Sequence, residues 1–91
     1  MALPDLGLAL LKLKFPELRD SLSRGFDSSE LFREMLGSYA EAVRFRDILI
    51  KGNQDPANLN EYDLVCSGLE DDVKYSLMIR EHLNALNRRR S

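Results

Sequence analysis

Phe26-Asp27-Ser28-Ser29-Glu30-Leu31 reads as the opening turn of a helix and sets the frame for everything around it. Asp27 has the side chain to accept from the unpaired amides of a first turn. Glu30, three residues on, can reach back to the Asp27 amide, and Phe26 and Leu31 are spaced to close a hydrophobic staple. On this reading a long amphipathic helix begins at Ser28 and runs to about Lys51.

Within that helix Phe32, Met35, Leu36, Tyr39, Ala42, Val43, Leu49 and Ile50 fall on one stripe, and Arg33, Glu34, Glu41 and Arg44 face away. Arg46 falls inside the stripe, where an arginine snorkels its charge to the rim or stacks on a ring. Lys51-Gly52-Asn53-Gln54-Asp55-Pro56 has turn chemistry: Gly52 closes one helix, Asp55 caps the next, and Pro56 suits its first position. A connection this short makes the two helices antiparallel neighbours.

The second long helix is predicted over residues 56–87, with Tyr62, Val65, Cys66, Leu69, Val73, Ile79, Leu83 and Leu86 near a heptad rhythm and Ser76 at a core-type position. Gly68 lowers helix propensity by about 1 kcal/mol relative to Ala, which predicts close approach of a neighbouring helix there. Folding the chain back about the turn sets Arg46 near Tyr62, Tyr39 near Leu69 and Phe32 near Ser76. Because the second helix is the longer by about seven residues, or roughly 10 Å, Ile79, Leu83 and Leu86 overhang. Their cover must come from Leu18 and Leu22 or from a second copy.

Upstream, Leu3, Leu6, Leu10 and Leu13 recur at helical spacing behind Pro4, so residues 1–14 form a short helix or a leucine-rich arm, weakened at Gly7. Pro16 opens a further short helix in which Leu18 and Leu22 share a face and Gly25 supplies the stop. The fold expected is all-α: a single domain of 91 residues, built on an antiparallel hairpin of two long helices with one or two short helices packed on it.

Apolar content of 44% with 31% charged residues fits a folded helical protein and not a disordered one. One cysteine excludes an internal disulfide framework and suits a reducing compartment. Asp5 stands where a signal peptide carries positive charge, and no run of 18 apolar residues is present, so a cytoplasmic protein is expected. From Asp55 to Val73 there are six acids and no base, and after Lys74 the bases dominate; that order suits the dipole of one long helix.

Chemistry is sparse. Cys66 and His82 are 16 residues apart on one predicted helix, about 24 Å along its axis, too far for a thiol and its base. No metal-ligand spacing or phosphate-binding loop is present, and Glu70, Asp71 and Asp72 point in different directions around a helix. These features predict no enzyme, no cofactor and no metal. Arg88-Arg89-Arg90 is a short basic tail, which the helix dipole explains and which offers contact with nucleic acid as the alternative function.

Phe15-Pro16-Glu17-Leu18-Arg19-Asp20, followed by Ser23-Arg24, Asp27 and Phe32, resembles the YdcH-like family of short bacterial proteins over roughly residues 15 to 50. The resemblance implies a helical hairpin and carries no established activity. It does not extend to Ala42-Val43-Arg44-Phe45-Arg46-Asp47, where the family has a Leu-Asp-His-Glu-like patch.

Large apolar residues remain on the backs of the two long helices. Phe45, Ile48, Tyr75 and Met78, with Leu64, are the candidate contacts of a self-associating interaction module, expected to be a homodimer or to bind another helical protein.

Overall fold

The computed structural model describes residues 2–52 and 56–90; the side chains of residues 56–58, 89 and 90 lie outside that description. The architecture is all-α, with four helices among the described residues: α1 (Leu3–Lys14), α2 (Arg19–Ser28), α3 (Glu30–Lys51) and α4 (Pro56–Arg90). A single 3-10 turn, Pro16–Leu18, joins α1 to α2. The molecule is elongated, 56 × 25 × 21 Å, because α4 alone has 35 residues.

The boundary between α2 and α3 falls two residues later than the Asp27 cap predicts. α2 runs through Gly25 and Asp27 to Ser28, whose hydroxyl donates to the Arg24 carbonyl at 2.7 Å in the manner of a residue still inside a helix. Ser29 alone is extended (φ −139°, ψ 119°), and its hydroxyl accepts from the Phe32 amide at 3.2 Å. Ser29 is therefore the cap. Leu31 is 77% exposed, so no staple with Phe26 forms. The other side of the joint is closed by Arg33, expected on the wet face. It donates to the Phe26 carbonyl at 2.6 Å and lies over the Phe26 ring, supplying positive charge to the end of α2.

Gly25 has a different use from the stop assigned to it. It is buried, and a Cβ there would sit 2.9 Å from the Phe32 ring, so its lack of a side chain makes room for that ring.

α3 and α4 form the expected antiparallel hairpin. Tyr39 donates to Glu70 at 2.7 Å, Ser76 lies 3.9 Å from the Met35 sulfur, and Arg46 reaches Asp63 at 3.4 Å. These contacts fix the register within a residue or two of the Tyr39–Leu69 pairing. At the turn end the rotation differs slightly. Phe45, expected on the back, stacks on Tyr62 with centroids 5.6 Å apart and planes 6° from parallel. Gly52 closes α3 through its amide; Asn53, Gln54 and the Asp55 cap lie outside the described residues.

α1 is a docked helix, with Pro at its start as expected, and it packs on the middle of α3. The leucine stripe assigned to it is turned: Leu11 is fully buried and Leu8 and Leu10 pack on the core, whereas Leu13 is 78% exposed. The reason is Gly7, where a Cβ would overlap the Leu36 carbonyl, while Pro4 rests on Gly37. Gly7, Leu8 and Leu11 therefore turn inward together. Gly68, by contrast, has open space around it, so the close approach expected there does not occur.

The core is Leu11, Leu22, Phe32, Leu36, Tyr39, Ala42, Cys66, Val73 and Leu77, with Met35, Val43 and Leu69 against it. The stripe prediction misplaces Ile50 and Val65, both exposed, and omits Leu77 and Glu70, both buried.

Candidate interaction surface

Two features of α4 are candidates for function, and both depend on where its neighbours end. In this register the first residue of α3, Glu30, lies level with about Ile79. The chain beyond that point extends roughly 16 Å past α3. α2 runs beside this extension but meets it with polar groups. Ser21 donates to Glu81 at 2.6 Å, Arg24 approaches the same carboxylate at 3.5 Å, and Arg80 donates to Ser28 at 2.6 Å. Leu22 goes into the core instead.

Among the described residues the expected cover of the overhang is therefore missing. Ile79 is 41% exposed, Leu83 53% and Leu86 41%, and Leu31 stands beside them. Between α3 and this part of α4 lies an open groove of about 560 Å³, walled by Phe32 and Met35 on one side and Ile79 and Leu83 on the other. Ser76 forms part of its lining and meets the Met35 sulfur, while the Phe32 ring expected opposite it rests against Gly25. Arg80 and Asn84 supply polar groups at its edge.

The four predicted contact residues do not converge. Phe45 is engaged by Tyr62. Ile48 lies exposed farther toward the turn. Tyr75, 13 residues beyond Tyr62 and so about 20 Å along α4, is exposed as well. Met78 sits beside Glu17 and Leu18 in a separate depression. Arg88 is exposed, and the side chains of Arg89 and Arg90 lie outside the described residues.

The second feature is a buried polar cluster. Glu70 is 8% exposed, and one of its oxygens accepts from Lys14 Nζ at 2.6 Å and from the Tyr39 hydroxyl at 2.7 Å. α1, α3 and α4 thus meet at one carboxylate. Lys74 adds charge nearby and lies 4.0 Å from the Phe15 ring centroid. Burial pushes the Glu70 carboxyl up, but the bonds from Lys14 and Tyr39 and the charges of Lys14 and Lys74 outweigh it and hold the group below its ordinary value. Burial and the bond to Glu70 raise the Tyr39 phenol. In the sequence Cys66 and Glu70 share a helix face at a spacing of four, and nothing local ties Lys14 to them.

Cys66 is buried, and burial pushes its thiol up, the opposite of what a nucleophile needs. Among the described residues no group of three His, Cys, Asp or Glu side chains could hold a metal ion, and no helix is long and apolar enough to cross a membrane. Compared with family models, with curated proteins and with solved structures, the chain matches none.

Proposed function

We propose that this protein is a non-enzymatic helical interaction module that self-associates through the far end of α4. The observation that carries the reading is the stripe of Ile79, Leu83 and Leu86, left in water beside an open apolar groove. Ile79, Leu83 and Leu86 are already about half covered, so completing the burial of each contributes about half of the 1.5–3 kcal/mol of a fully exposed side chain; the three together, with Leu31, still favour association.

A second copy suits this surface because the same residues serve as ridge and as groove wall. The stripe of one protomer can lie along the opening bounded by Phe32, Met35, Ile79 and Leu83 of its partner. A two-fold axis makes the arrangement reciprocal and closed. The spacing of the stripe, four residues and then three, is nearly the same read in either direction, so an antiparallel partner helix meets it in register near Leu83. Phe45, Ile48, Tyr75 and Met78 lie at other levels and are peripheral in this reading. With one buried thiol, a cytoplasmic homodimer is the form this chemistry fits.

Sedimentation velocity on paired variants tests the proposal. Leu83→Ser with Leu86→Ser is expected to give a monomer of unchanged helicity, while Phe45→Ser with Ile48→Ser continues to associate. The reverse pattern would move the interface to the turn end of the hairpin.

A further inference from the structure

We infer that Glu70 is the register key of the α3/α4 hairpin: its carboxylate, held at once by Lys14 and Tyr39, selects one sliding position of α4 and keeps the far end of that helix clear of α3. The inference stands whether or not the protein self-associates.

Net stability does not account for a carboxylate at this position. Replacing a buried ionic group and its partners by apolar residues is often neutral or stabilising, because desolvation offsets most of the attraction. A leucine would fill the same seam between Cys66 and Val73. What the carboxylate adds is a requirement met in one place only: two donors, from α1 and α3, must reach the same oxygen.

The apolar seam of α4 is only partly selective. If α4 slides by one heptad, Val73 takes the place of Cys66, Leu77 that of Glu70, Leu83 that of Ser76 and Leu86 that of Ile79. Half of the buried seam is rebuilt in apolar residues, and Leu83 and Leu86 are drawn over α3. Arg80 and Asn84 oppose the slide, since they enter the places of Val73 and Leu77. Glu70 opposes it more specifically. It moves about 10 Å along the axis, leaving the Tyr39 hydroxyl and Lys14 facing a leucine. A polar group that fixes register in a packed pair of helices is the best-attested use of buried polarity.

Solution NMR of the full chain tests this, at concentrations where dilution no longer alters the spectrum. The wild type is expected to give one set of amide signals and cross-peaks between the Phe45 and Tyr62 rings. Glu70→Leu, which leaves the buried Tyr39 hydroxyl without its acceptor, is expected to stay folded with a lower thermal midpoint that Tyr39→Phe in the same chain restores. It should show a second set of signals along α3 and α4 and weaker ring cross-peaks. Glu70→Gln, which keeps an acceptor oxygen, is expected to keep the single set. A Glu70→Leu protein with one set and undiminished ring cross-peaks overturns the inference. So does one that stays unfolded when Tyr39→Phe is added, because the residue would then serve stability and not selection.

Discussion

Along α4, two stretches of comparable apolar content meet opposite fates. From Cys66 to Leu77 the helix buries Cys66, Glu70, Val73 and Leu77; from Ile79 to Leu86 it leaves Ile79, Leu83 and Leu86 exposed. Local hydrophobicity does not separate them, since Ile79, Leu83 and Leu86 are as apolar as the side chains buried in the first stretch. The neighbours do. α3 covers the first stretch, and α1 reaches it through Lys14. At the second, α3 has ended, and α2 offers hydroxyls and a guanidinium in place of its leucines. Burial here is set by the reach of other helices, and the surface left over is the one proposed for association.

The largest effect that sharpens this contrast is a pair of leucine truncations. Leu77→Ala removes a side chain 4% exposed and is expected to cost about 2–5 kcal/mol in urea unfolding. Leu83→Ala, six residues on, is expected to change monomer stability by no more than about 0.5 kcal/mol. Equal effects would erase the distinction between the two stretches.

Next in size is Gly7→Ala. Its Cβ meets the Leu36 backbone, which cannot swing aside as a side chain can. The expected loss is roughly 1–3 kcal/mol, against the gain of about 1 kcal/mol that alanine gives an ordinary helix. Gly68→Ala, with nothing nearby, is expected to stabilise by about that 1 kcal/mol. Thermal or urea unfolding of both variants decides whether close packing of α1 is what separates two glycines of equal propensity.

The smallest effect is on pH dependence. Glu70 is held below its reference value of 4.5 in the folded protein, so its contribution is present above that pH and drains away as pH falls through the lower folded value. Below pH 4.5 the wild type is therefore expected to lose stability more steeply than Glu70→Gln. Parallel acid limbs in urea titrations would show that the carboxylate is not held as described.

The same contrast explains how much the sequence discloses. The hairpin and its register are legible because stripes at three- and four-residue spacing on α3 and α4 admit few pairings, and Tyr39 indeed meets Glu70, next to the expected Leu69. The α3 start is misread because Asp27 and Ser29 both have cap chemistry. The choice falls to Gly25, which must remain helical to sit under the Phe32 ring. Glu70 reads as one more acid in a dipole-suited gradient, since nothing local announces that Lys14, 56 positions earlier, will reach it. The candidate surface is half legible: the overhang of Ile79, Leu83 and Leu86 follows from helix length. That α2 covers the polar side of the overhang, and not the apolar one, depends on tertiary placement.

The most direct test of self-association is the light-scattering mass of the wild-type chain from low micromolar to near-millimolar concentration. Self-association predicts a rise from 10.4 kDa toward twice that value, abolished by Leu83→Ser with Leu86→Ser. A mass of 10.4 kDa at every concentration would contradict it.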